Sequence, residues 1–77
     1  MARWMQKTYV NGELKYEPKM KTDNEMMERF AQIIFLKQAG EDIELHQTVN
    51  DNYEAVEYTA TLKLKDRTVV HVYTMEG

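Results

Sequence analysis

Apolar and polar residues alternate along most of this chain, and the period of that alternation changes twice. In "WMQKTYVNGELKYEP", residues 4–18, strand-forming residues flank Asn11-Gly12, a pair that supplies the positive φ angles of a type I′ turn. The pattern predicts a β-hairpin with Val10 opposite Glu13, Tyr9 opposite Leu14 and Lys7 opposite Tyr16. Met5, Tyr9, Leu14 and Tyr16 then collect on the expected core face, and Gln6, Thr8, Glu13, Lys15 and Glu17 on the other. Pro18 ends the second strand, because it has no N–H to give to a ladder.

After Pro18 the period lengthens to that of a helix. Thr22 and Glu25 have the spacing of a capping box, Asp23 and Glu25 complement the positive end of the helix dipole, and Gly40 is the natural residue just past the end. Between them Met26, Met27, Phe30, Ile33, Ile34 and Leu36 recur every three or four residues, which predicts a helix over about 23–39 with a broad apolar stripe on a sheet. The period then returns to two. Ile43, Leu45 and Val49 alternate with Glu44, His46 and Thr48; Val56, Tyr58, Ala60, Leu62 and Leu64 alternate with Glu57, Thr59, Thr61 and Lys63. With turns at 50–52 and 65–67, the expected fold is a single small α+β domain over 1–77. Its order is ββαβββ, an antiparallel sheet with one helix packed on one face.

The last strand, Thr68 to Met75, departs from the alternation and is apolar on both sides. Val70 and Val72 can serve the core, which sends Val69, His71, Tyr73 and Met75 to the open face. Such a face has two readings, cross-strand packing or a partner surface. Trp4, on the nominal polar side of the first strand, is either a lid on the end of the sheet or an exposed anchor for a partner.

Charge adds a direction to this picture. Residues 1–21 carry five basic side chains against two acidic ones, whereas residues 22–62 carry two against nine; the whole chain has a net charge of −3. From Glu41 to Glu57 there are six carboxylates and no lysine or arginine, which argues against a generic nucleic-acid binder and suits a partner with a basic surface. The chain has no cysteine, which fits a reducing cytoplasm, and no apolar run of about 20 residues, so neither a membrane span nor a leader is expected.

Candidate chemistry is sparse. There is no serine or cysteine nucleophile, and three dispersed glycines make no phosphate cradle, so no enzyme and no cofactor are expected. His46 and His71, if they share the open face, could join Glu44 or Glu57 around a metal, but their spacing follows no known ligand pattern and none is expected.

The leading expectation is therefore a noncatalytic protein-interaction module whose contact surface combines Trp4, Glu44, His46, Glu57, Val69, His71 and Tyr73. In size and acidity the chain resembles the small accessory proteins of bacteriophages and mobile elements, many of which inhibit a host protein; no motif carries the likeness. Two alternatives stand beside it. One is nucleic-acid binding through the basic hairpin, with Arg3, Lys7, Lys15, Lys19 and Lys21 on phosphates and Trp4, Tyr9 or Tyr16 on bases. The other is a self-associating homo-oligomeric subunit that adds strands at its last strand or at the hairpin edge.

Overall fold

A computed structural model describes residues 3–76; Gly77 and the first two positions, Met1 and Ala2, with which the reading of an N-terminus without a leader begins, lie outside the described residues. The hairpin forms around Asn11 and Gly12, whose φ angles are 51° and 86°. Its first strand, β1 (Arg3–Val10), pairs with β2 (Glu13–Leu14) in the expected register, Tyr9 opposite Leu14. Further along, the return strand resumes as β3 (Lys19–Thr22), with Lys19 opposite Gln6. Four residues, 15–18, thus span the distance that two residues cover on β1, and the break contains Pro18. The hairpin's outer strand is therefore two short pieces.

Helix α1 (Asp23–Gln38) follows β3 without a linker. Both halves of the capping box are made: the Glu25 N–H donates to Thr22 Oγ1 at 3.2 Å, and the Thr22 N–H donates to Glu25 Oε1 at 3.1 Å. Gly40, at φ +103°, takes the left-handed position beyond the C-cap Ala39. Of the six apolar helix residues expected in the core, Met26, Phe30 and Ile33 are buried, while Met27, Ile34 and Leu36 are exposed. One helix lying on a sheet buries a single i, i+4, i+7 line, and the stripe in this sequence is wider than that.

Strands β4 (Ile43–Val49), β5 (Ala55–Lys63) and β6 (Thr68–Met75) complete the sheet, whose order is β2-β1-β6-β5-β4 with β3 also on β1. All the pairings are antiparallel. The α+β architecture is as expected, with the second strand divided.

What differs is the face that β6 gives to the core. The Leu64 N–H donates to the Arg67 carbonyl at 2.8 Å, so the turn is the two residues Lys65 and Asp66 rather than the three at 65–67. Leu62 then faces Val69, Ala60 faces His71 and Tyr58 faces Tyr73. Because side chains alternate with a period of two, this one-residue difference exchanges the two faces of the strand. Tyr73, at 0% exposure, and His71 lie under the helix; Val70 and Val72 lie on the open face. β1 is exchanged with it. Trp4, at 3% exposure, is core, and Met5 and Tyr9 are on the open side, only partly buried.

The core comprises Trp4, Met26, Phe30, Ile33, Ile43, Ala60 and Tyr73, with Leu45, Tyr58, Leu62 and Met75 packed around it. Phe30 reaches the ring of Tyr58 at 5.1 Å and that of Tyr73 at 6.3 Å; Trp4 meets Tyr58 at 5.4 Å. The Trp4 indole N–H donates to Asp23 Oδ1 at 2.5 Å, which joins β1 to the first turn of α1.

Tyr53, in the β4–β5 turn, has φ +62° and is 89% exposed, an unusual position for a bulky residue. The Asn50 side chain organises that turn by accepting from the N–H groups of Asn52 and Glu54.

Urea unfolding checks these assignments. Tyr73→Ala should lose about 3–5 kcal/mol, as expected for removal of a buried ring. Tyr73→Phe should be neutral or gain about 1 kcal/mol, because the buried Tyr73 hydroxyl has no hydrogen-bond partner among the described residues. Tyr53→Gly should gain about 1 kcal/mol by relieving the left-handed backbone.

Candidate interaction site

The seven residues expected to form one contact surface are divided by the sheet. Trp4, Val69, His71 and Tyr73 face α1, three of them buried and Val69 half-buried; Glu44, His46 and Glu57 face the open side. The correction follows from the two-residue turn described above. Glu44 is opposite Thr61 and Glu57 is opposite Thr48, so the two carboxylates lie apart along the ladder. Glu44 instead meets Lys63 at 2.9 Å, and the ion pair lowers the carboxyl pKa and raises that of the amine. His46 and His71 are on opposite faces and share no site. Among the described residues no group of three or more histidines and carboxylates is placed to hold a metal.

Under the helix lies a small polar cluster. His71 Nδ1 is 3.1 Å from Thr8 Oγ1, and both side chains are buried. Burial, and secondly the Arg29 guanidinium, hold the His71 pKa below its ordinary value. Burial raises that of the Tyr73 hydroxyl, which stays protonated. A polar cleft of about 330 Å³ opens nearby between α1 and β1, lined by Gln6, Lys21, Glu25, Glu28, Arg29 and Gln32. Its lining holds two cations and two carboxylates, and Glu25 is engaged in the helix cap.

The basic hairpin is divided as well. Arg3 and Lys7 share the open face with Tyr9, whereas Lys15, Lys19 and Lys21 pair with Thr8, Gln6 and Trp4 on the other. These five cations form no single stripe for a phosphate backbone. β6, expected to add strands in self-association, is an interior strand paired on both sides by β1 and β5.

A different region combines exposed backbone, apolar surface and charge. The sheet ends at β4, seven residues long, on one side and at the broken β2/β3 edge on the other. The Lys63 N–H donates to the Asp42 carbonyl at 3.0 Å, which makes Asp42 and Lys63 a hydrogen-bonded pair of the β4–β5 ladder. Since such pairs alternate, Glu44, His46 and Thr48 direct their backbone groups to β5, while Ile43, Leu45 and Gln47 direct theirs outward. Lys37 Nζ covers the outward Ile43 carbonyl at 2.6 Å. The groups of Leu45 and Gln47 face outward beyond it.

Beside this edge runs an apolar groove of about 320 Å³ between α1 and β4, where Met27, Ala31 and Ile34 face Leu45, Gln47 and Tyr58. Met27 is 56% exposed and the neighbouring Phe35 is 70% exposed. The sequence holds a trace of it: Met27, Ala31 and Ile34 form a second i, i+4, i+7 line beside Met26, Phe30 and Ile33. The six carboxylates of Glu41 to Glu57 lie on β4, β5 and their connections.

Compared with known proteins, the chain matches no family model, no curated protein and no solved structure. No helix of the described residues is long and apolar enough to cross a membrane.

The buried histidine has a measurable consequence. Its folded pKa is lowered, so as pH falls through about 6.5 the unfolded chain gains a proton that folded His71 does not. Stability should be full above that value and decline on acidification from pH 7.5 to 5.5. In urea unfolding across this window, His71→Gln should flatten the decline, and His46→Gln, at an exposed site, should leave it.

Proposed function

We propose that this chain is a noncatalytic protein-interaction module whose contact surface is the free edge of β4 with the adjoining groove beneath Met27 and Ile34. The observation that carries the reading is the coincidence of a free edge strand with an apolar groove, in a part of the chain, Glu41 to Glu57, that carries six carboxylates and no lysine or arginine. Partner surfaces combine an apolar centre with a polar rim, and the net negative charge of residues 41–57 favours a basic partner. The likeness in size and acidity to phage and mobile-element accessory proteins makes inhibition of the bound protein the narrower form of the proposal.

The test compares the wild-type chain with a Met27→Asp/Ile34→Asp variant in parallel selections from a random displayed-peptide library. Both positions are exposed, so the variant should keep its circular dichroism spectrum. The wild type should enrich positively charged sequences that the variant binds at least about tenfold more weakly, the scale of a lost hot spot. Equal enrichment by both proteins would exclude the groove.

A further inference from the structure

From the geometry of the β4 edge, and resting on the interaction reading above, we infer that the partner contributes an extended segment that adds to the sheet beside β4. Its side chains alternate apolar and basic. The backbone dictates the first part. Leu45 and Gln47 direct their N–H and C=O groups away from β5, and the Lys37 ammonium on the Ile43 carbonyl marks where the available edge begins. An antiparallel strand laid there completes the hydrogen bonds of both residues, the mode of strand addition. The opposite edge offers no equivalent length, since β2 and β3 have two and four residues and Pro18 lies between them.

Face alternation dictates the second part. Leu45 and Gln47 turn their side chains toward α1, so incoming residues opposite them enter the groove beside Met27, Ile34 and Tyr58 and are apolar. The residues between them fall on the open face beside Glu44, His46 and Thr48. There Glu57 lies opposite Thr48, Glu44 is paired with Lys63, and the stretch from Glu41 to Glu57 as a whole has six carboxylates and no lysine or arginine; its net negative charge favours lysine or arginine. A second copy is a poorer occupant: β4 contains no lysine or arginine, so β4 laid against β4 supplies none of the basic side chains that the open face favours.

The probe is a capped, fluorescein-labelled peptide of about seven residues, the length of an ordinary strand, alternating lysine with valine and leucine. Its controls are a scramble that groups the apolar residues and a version with glutamate for lysine. Fluorescence anisotropy should give affinity at least about tenfold higher for the alternating peptide than for either control, a difference of about 1.4 kcal/mol. On binding, the Leu45 and Gln47 amides should slow in hydrogen exchange. Gln47→Pro removes an outward N–H without a ladder bond to β5, and should weaken binding at least tenfold with the fold retained.

Equal affinity for the scramble, no change in exchange at Leu45 and Gln47, or no binding of the alternating peptide would overturn strand addition. If the Met27→Asp/Ile34→Asp variant loses binding while Gln47→Pro does not, the groove stands as contact surface and strand addition alone fails. Loss with neither variant removes the groove and the edge together. Sedimentation equilibrium of the free protein completes the test: a dimer with the Leu45 and Gln47 amides already protected would make a second copy the occupant.

Discussion

The two-residue turn at Lys65 and Asp66 sets the organisation of the sheet. Closed by the hydrogen bond from Leu64 to Arg67, it places Leu62 opposite Val69 and thereby decides which side of β6 meets the helix. β6 is the central strand of the path, so its orientation passes to β1, where Gln6 faces Tyr73 and Thr8 faces His71. The burial of Trp4 and Tyr73, the Thr8–His71 hydrogen bond and the aromatic contacts of Phe30 are all consequences of that register. A turn one residue longer would place valines under the helix and expose the rings.

A single helix of 16 residues cannot cover every apolar group the chain carries. It buries the line through Met26, Phe30 and Ile33, and its entry is held by the Thr22 cap and by Trp4 on Asp23. The neighbouring line through Met27 and Ile34 is left beside β4, while Met5, Tyr9, Val70 and Val72 share the other face of the sheet with threonines and charged residues. Exposed apolar groups are ordinary on a small domain. The β4 side is distinguished because its apolar groove adjoins outward-facing backbone.

The two edges of the sheet are managed differently. The β2/β3 edge is broken by extra residues and a proline, devices that discourage strand addition, whereas β4 has a lysine over one carbonyl and a register shift only at its far end, between Thr48 and Val49. This asymmetry moves the candidate contact surface away from the last strand. Its chemistry is backbone pairing and apolar burial under a negative field. The buried Thr8 and His71 side chains meet each other across β1 and β6.

The amino-acid sequence by itself determined the local elements: the Asn11-Gly12 hairpin, the Thr22–Glu25 capping box, the glycine stop at position 40 and the alternation of β4 and β5. Each is specified by neighbours a few residues apart, and propensity and period act at that range. The helix showed a second apolar line through Met27, Ala31 and Ile34, but periodicity alone could not say which line is buried. In β6 both faces carry apolar residues, and in β1 the pattern favoured Met5 and Tyr9 for the core, the face that the structure leaves open; a one-residue difference in turn length decided both. Which face of each was core, which edge stayed open and which residues bordered the groove became defined only when β1, β5 and β6 met. These are properties of pairing between segments distant in sequence, and they depend on a long-range register that local periodicity does not encode.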